Sequence, residues 1–394
     1  MGCSIRGGRK ASLSVQAGWV SSVALLAGLV FTSSSALAEP PLAGRNPARL
    51  PYLPDGPFIE TSVFAADNVL PVASIIDDSW RGDFTPENRN AAELYWNAAA
   101  GVVVNGWRVA AFNRAEFFIE SNRDAIEFIY LTKKKRDLAT NRIYAADLKA
   151  TGFIANGVEV SHGRKLDRVT PGLSAGFTVR LMDPTYLQDG SMSGYVIPLG
   201  PRSYDYNLFL DYAYSKNIIY DREGEHLGDG YGFSADIGVS YRKGGWRADA
   251  LLRDLAGAIY WRSAPYTTAN AVTPTTSTST NGYQDFTPSI NGYEGNKRFR
   301  QAIPLKTDLS LGYDYDCLSA SATVILIRDQ PRTWFEGGYK LNDRVRLSLA
   351  YNLDYSALSY GIAAYGFELG LTMDGTEVRD ANALGFRMSY LYNW

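Results

Sequence analysis

The segment Leu305-Lys306-Thr307-Asp308-Leu309-Ser310-Leu311-Gly312-Tyr313-Asp314-Tyr315 alternates without interruption. Leu305, Thr307, Leu309, Leu311, Tyr313 and Tyr315 fall on one side of an extended chain; Lys306, Asp308, Ser310, Gly312 and Asp314 fall on the other. The same period of two recurs downstream. Residues 344–353 set Val345, Leu347, Leu349, Tyr351 and Leu353 against Arg344, Arg346, Ser348 and Asn352. Residues 366–373 set Phe367, Leu369, Leu371 and Met373 against Gly366, Glu368, Gly370 and Thr372, and the last eleven residues set Leu384, Phe386, Met388, Tyr390, Tyr392 and Trp394 against Gly385, Arg387, Ser389 and Asn393.

Upstream, windows 173–182, 204–214 and 231–241 read the same way, and windows 94–104, 107–119, 152–161, 246–261, 318–327 and 333–340 follow less cleanly. Two architectures use such strands. A soluble sandwich buries its apolar faces against each other. A membrane barrel turns them outward to lipid, with Tyr and Trp near both interfaces, and keeps a polar lumen. Here the apolar faces end in aromatics, as in Tyr204, Tyr206, Tyr212 and Tyr214, while the opposite faces mix Gly and Ser with charge. Strands of about ten residues also suit a tilted crossing of the bilayer. A transmembrane antiparallel up-and-down barrel follows.

A cleavable leader, amphipathic strands and a terminal Tyr390-Leu391-Tyr392-Asn393-Trp394 together resemble the Gram-negative outer-membrane β-barrel class, porin-like in outline. The resemblance covers roughly residues 94–394. It implies that Tyr390, Tyr392 and Trp394 form the insertion signal read by the barrel-assembly machinery, and that the surroundings are outer-membrane lipid and lipopolysaccharide.

Composition agrees. Of 394 residues 46% are hydrophobic, which argues against disorder, and mean hydropathy of −0.18 leaves no room for a bundle of membrane helices. Two cysteines, one of them Cys3 in the leader, exclude a disulfide scaffold. Arg6, Arg9 and Lys10, an apolar run from Val20 to Phe31, and Ala36-Leu37-Ala38 mark residues 1–38 as a signal peptide cleaved after the small residues Ala36 and Ala38. Its removal takes the net charge from −2 to about −5, against nucleic acid as a partner.

Thirteen windows alternate, and bacterial barrels have even strand numbers, so Tyr355 to Ile362 is taken as a further strand, giving about fourteen within a range of 12 to 16. Lys243-Gly244-Gly245 and Leu341-Asn342-Asp343 then become periplasmic turns, with Asn105-Gly106 on the outer side. Residues 120–151 hold a hairpin or a periplasmic helix. The Pro-rich segment 39–92 is read as an N-terminal periplasmic extension or plug, 93–394 as the barrel, and 262–304 as a long extracellular loop.

Catalytic chemistry is poorly supplied. His162 and His226 are the only imidazoles and lie far apart in the chain. In Ser161-His162-Gly163-Arg164, Arg164 stands where outer-membrane lipases place their nucleophile. No enzyme activity, metal or cofactor is expected. Alternation instead assigns Asp205, Asp211, Asp236, Arg247, Asp249, Arg253, Lys306, Asp308, Asp314, Arg344, Arg346, Glu368 and Arg387 to the lumen. Such charges either guide solutes or pair across the barrel and close it. Asp254, which breaks an outward row, marks a bulge or rim. The function expected is passive passage of a small polar or amphiphilic solute; the alternative is a non-conducting structural or partner-binding barrel of an envelope assembly.

Overall fold

The computed structural model describes residues 45–216, 227–273, 276–278, 284–286, 289–328 and 330–392; the cleavage site, His226 and Trp394 lie outside the described residues. A 3-10 helix at Pro47–Tyr52 leads into β1 (Gly56–Asp67), α1 (Val72–Ile76), β2 (Arg89–Val104), β3 (Trp107–Asn122), α2 (Arg123–Lys133), β4 (Tyr144–Lys165) and β5 (Leu173–Gly200). There follow β6 (Ser203–Tyr214), β7 (Gly230–Lys243), β8 (Trp246–Arg253), β9 (Ala258–Val272), the short pair β10 (Thr276–Thr278) and β11 (Gln284–Phe286), and β12 (Ser289–Ala302). The chain ends with β13 (Lys306–Tyr315), β14 (Leu318–Ile327), β15 (Gln330–Asn342), β16 (Val345–Asn352), β17 (Ala357–Ala364), β18 (Phe367–Met373) and β19 (Ala383–Leu391).

Every ladder is antiparallel, and the large sheet closes on itself because β1 pairs with both β2 and β19, Phe58 standing opposite Gly101 and Leu391. Closure leaves no edge unpaired in lipid. Three wall positions are each built from two successive strands. β5 pairs with β7 through Leu173–Met182 and with β6 through Gln188–Gly200, so β6 and β7 run on from one another. β8 and β9 do the same along β7, and β12 and β13 along β9 and β8. Counting each position once gives fourteen; following every ladder through β5, β6, β9 and β7 passes sixteen strands. Both lie within the expected range, but the route to fourteen differs. Windows 204–214 and 231–241 are one wall position, and β1 supplies the one that alternation missed.

β1 therefore corrects the reading of 39–92 as an extension or plug outside the wall: Gly56–Asp67 and the residues from Arg89 on are wall strand, whereas 45–55 precede the wall and 68–88 connect β1 to β2. Its addition also moves Asn105-Gly106 to the rim that carries Gly244-Gly245, Asp316-Cys317, Asp343-Arg344 and Tyr365-Gly366. Both central residues have positive φ at Asn105-Gly106, Gly244-Gly245 and Tyr365-Gly366, the geometry whose twist suits a two-residue hairpin. The opposite rim carries the longer connections and both α-helices. Of the two readings for 120–151, hairpin or helix, the structure has the helix, α2 at Arg123–Lys133, between the end of β3 and the start of β4 on this rim. Most of 262–304 is ladder, not loop: β9 and β12 pair from Ala258–Ala302 to Val272–Ser289.

The alternation holds around the wall. Leu309, Leu311, Ile237, Val239, Leu347, Leu349, Tyr360 and Leu371 are exposed outward, whereas Lys306, Asp236, Ser240, Ala350 and Glu368, one step out of phase, are buried. At the short-turn rim His162 lies on the outer face, stacked on Trp107 at 4.1 Å, as an interfacial side chain. Deleting the chain through Asp67 is expected to abolish heat-modifiable gel migration, whereas deletion through Leu53 leaves it intact. A closed barrel formed without Gly56–Asp67 would show that β1 is dispensable.

Candidate functional site: the lumen and its N-terminal plug

The 3-10 helix lies inside the barrel near the short-turn rim. Pro47 opens it with a pre-set φ, and the Asn46 side chain accepts from the Ala48 amide at 2.9 Å. Asn46 Nδ2 also donates to Val239 O at 3.1 Å and to Ala250 O at 3.4 Å. Arg49 meets Asp249 with two hydrogen bonds, Nε to Oδ1 at 3.1 Å and Nη2 to Oδ2 at 2.7 Å. Lys165 and Arg242 sit over the Tyr52 ring at 4.7 and 4.8 Å. The seat is made by glycine. A Cβ on Gly163, Gly176 or Gly238 would fall 2.2 Å from Pro47 O, 2.5 Å from Pro47 C or 2.0 Å from Asn46 Oδ1. Three strands, β4, β5 and β7, each give up a side chain so that the segment can approach.

From the plug a chain of ion pairs runs across the lumen. Arg45 meets Glu60 at 3.1 Å, Glu60 meets Arg108, and Arg108 meets Glu159. Arg180 joins Glu159 at 3.0 Å to Asp236 at 2.6 Å, and Asp236 accepts from the Asp254 amide at 2.9 Å. Arg114 grips Asp254 at 2.8 and 2.6 Å and Glu116 at 3.0 and 2.5 Å; Lys306, only 1% exposed, lies 2.9 Å from each of those carboxylates. The chain holds five cations and five carboxylates and is neutral overall. Asp254 does not face lipid. β8 stops at Arg253, and the positive φ of 59° at Asp254 turns its carboxylate inward.

Beside these charges the lumen is apolar. Phe58, Val103, Phe112, Phe153, Leu187, Ile259, Trp261 and Ile303 form a buried cluster that Leu53, at the end of the plug, packs against. The cluster reaches a level where three adjacent wall positions are interrupted beside β5. Over 183–187 β5 keeps its ladder with β4, with a register shift between Ile154 and Ala155, but has neither β6 nor β7 on its other side, next to Pro184, which has no amide to donate. β6 and β7 are separated by 215–229, β8 and β9 by 254–257, and β12 and β13 by 303–305. Gln301, on the inward face of β12, donates to Gly152 O at 2.9 Å and Gln188 O at 3.1 Å, tying the indented wall to β4 and β5. A cavity of about 20 Å³ remains beside Glu116, Gln301 and Lys306, room for a single water.

A family model described as "Family of unknown function (DUF5723)" matches residues 84–378. The chain belongs to that family. The matched span begins after β1, so the plug and the closing strand precede it. No curated protein matches the sequence. Among solved structures the chain is similar to the toluene transporter TodX of Pseudomonas putida, at 13% identity over 92% of this chain and 96% of that one, with a TM-score of 0.46. It is also similar to a TodX deltaS2S3 mutant monoaromatic hydrocarbon channel (13% identity, 92% and 96% covered, TM-score 0.47) and to the CymD monoaromatic hydrocarbon channel (12%, 89% and 92%, TM-score 0.34).

Most charges that alternation assigned to the lumen of this DUF5723 chain are paired there. Arg253 meets Asp308 at 2.8 Å, Arg387 meets Glu368 at 2.8 Å, Arg247 meets Asp314 at 2.8 Å, and Arg346 donates to Ser319 Oγ at 2.5 Å. Asp236, Asp249 and Lys306 join the network and the plug seat. Three assignments are corrected. Arg344 lies in the β15–β16 turn, exposed, over the Tyr365 ring at 5.6 Å. Asp205 and Asp211 belong to β6, beyond the interruption, where the faces invert: Tyr212 and Tyr214 are buried and Asp211 is exposed, accepting from Thr268 Oγ1 at 3.1 Å. There the aromatic face turns inward, and Tyr204 packs edge-on against Phe128 of α2 at 5.0 Å.

Alternation missed Glu60, Arg108, Arg114, Glu116, Glu159 and Arg180. Arg108, Arg114 and Glu116 share one parity within 107–119, the available signal, but Phe112 and Phe118 on that face mask it. Replacing Lys306 by Met leaves two buried carboxylates sharing Arg114. The expected loss is about 3 kcal/mol of unfolding free energy, read by guanidinium unfolding in detergent. A shift within about 0.5 kcal/mol, the range of ordinary surface substitutions, would contradict the role given to this network.

Proposed function

We propose that the protein is an outer-membrane channel for small uncharged apolar or amphiphilic solutes, narrowed by its own N-terminal segment. The observation that carries this reading is the character of the lumen between plug and interrupted wall: its ionic groups are neutralised pair by pair, and the remaining lining is aromatic and aliphatic. A neutral network offers no net field to attract ions. A Phe- and Trp-lined space favours apolar matter. This differs from the polar pore expected from alternation, because the charges that would have guided polar solutes are consumed by one another. Passage is passive and non-enzymatic in this account. Leader cleavage after Ala38, insertion through Tyr390, Tyr392 and Trp394 by the barrel-assembly machinery, and contact with lipopolysaccharide belong to the same reading.

The alternative of a sealed structural barrel is favoured by one feature, the density of the buried ion pairs. Uptake separates the two. Cells expressing the full chain should accumulate radiolabelled naphthalene faster than cells without it. Gly238→Val, which places side-chain atoms where Asn46 now lies, or removal of residues 45–53, should raise the rate further and open ion conductance in a planar bilayer. A sealed barrel would give neither uptake nor conductance, with or without the plug.

A further inference from the structure

The outer wall carries a patch that solute passage leaves unused. Tyr231, Tyr260 and Arg300 form one row across β7, β9 and β12. Tyr231 stacks on Tyr260 at 5.4 Å and 17°, Phe233 stacks on the same ring at 6.1 Å, and Arg300 Nε donates to the Tyr260 hydroxyl at 3.3 Å. Tyr231 and Phe233 continue the outward face of Ile237 and Val239, while Ile259 and Trp261 are buried on the inward side of β9. The row therefore faces outward. Arg262 and Arg298 adjoin it, and they are exposed like Arg300. None of the three forms an ion pair with a carboxylate among the described residues.

Height along the wall sets the surroundings. Tyr231 lies twelve residues from Lys243 at the short-turn rim. At roughly 3.3 Å per residue and a tilt of about 40°, that separation is about 30 Å along the barrel axis, the thickness of the hydrocarbon core. The row thus sits where the far leaflet meets its headgroups, at the level where Tyr rings collect. Three guanidinium groups with no ion pair among the described residues repel one another at this level, and each is built to take an oxyanion through paired N–H donors.

We propose that Arg262, Arg298 and Arg300, backed by the Tyr260 ring, bind the phosphates of a phosphorylated glycolipid in the leaflet at the long-connection rim. The glycolipid as source of phosphate rests on the outer-membrane reading above; the patch itself does not depend on solute passage. Annular contact alone would not place three arginines, without an ion-pair partner among the described residues, around one aromatic stack.

The test is native mass spectrometry of the purified full chain titrated with diphosphoryl lipid A, phosphatidylglycerol or phosphatidylcholine. The full chain should retain lipid A, more weakly as salt rises, and should not retain phosphatidylcholine. R298A/R300A should bind lipid A roughly 30-fold more weakly, at about 1 kcal/mol per basic residue, while R298K/R300K keeps most of the affinity. Heat-modifiable migration confirms that each variant is folded. Equal retention of lipid A by R298A/R300A, or equal retention of phosphatidylcholine by the full chain, overturns the site. Displacement of lipid A by millimolar inorganic phosphate, with phosphatidylglycerol bound as well, overturns the glycolipid as occupant. Naphthalene uptake is measured on the same variants: lost lipid binding with intact uptake leaves the two proposals independent, and absent uptake with retained lipid sinks only the channel.

Discussion

A backbone amide left unpaired in hydrocarbon costs several kcal/mol, so a strand can live in a membrane only if its sheet has no edge. In this protein that requirement falls on β1, which joins β2 to β19 and completes the ring. Once the ring is closed, the period of two in every wall strand has a single consequence. Side chains of one parity meet lipid, and those of the other are packed into a narrow interior.

The interior is where the chain departs from a simple pore. Buried ions are tolerated only when paired, and each lumen carboxylate of the network has a guanidinium or ammonium within hydrogen-bonding reach. The pairing also links distant parts. Arg45, at the entrance to the plug, connects through Glu60, Arg108, Glu159 and Arg180 to Asp236, which holds the Asp254 turn at the interrupted level of the wall. Plug and turn thus share one set of interactions, and displacement of the first alters the partners of the second. The glycines that seat the plug make the opposite contribution, since close approach is gained by omitting side chains, not by adding attraction.

Much of the wall is legible in the amino-acid sequence. Lys306 to Tyr315 and the strands after it read correctly because their lumen faces are polar or small and their outer faces are apolar, so the two parities differ at each step. β1 is hidden for the converse reason: Phe58 and Phe64 point into an apolar part of the lumen, so both faces of Gly56–Asp67 contain large apolar residues, and the surrounding prolines suggest irregular chain. β12 is hidden because Asn, Gly, Lys and Arg in 291–300 look like loop, and only β9 as a partner makes them strand. Fourteen emerges from two compensating differences, the missing β1 and the double counting of β6 and β7. Lumen charges follow from parity in most of the wall strands, and fail at Asp205 and Asp211, in β6, where the buried face is the aromatic one.

The orientation of the two parities can be measured directly. With Cys317 replaced by Ser, single cysteines at 307 through 313 would carry a nitroxide, and collision with oxygen, which concentrates in lipid, would be compared with collision with a water-soluble nickel chelate in bilayers. Labels at Thr307, Leu309, Leu311 and Tyr313 should be oxygen-accessible, and labels at Asp308, Ser310 and Gly312 should be shielded from oxygen, a period of two along β13. Shielding of Leu309 and Leu311 from both reagents would mean that the apolar parity meets a protein core in place of lipid, and the account would fail.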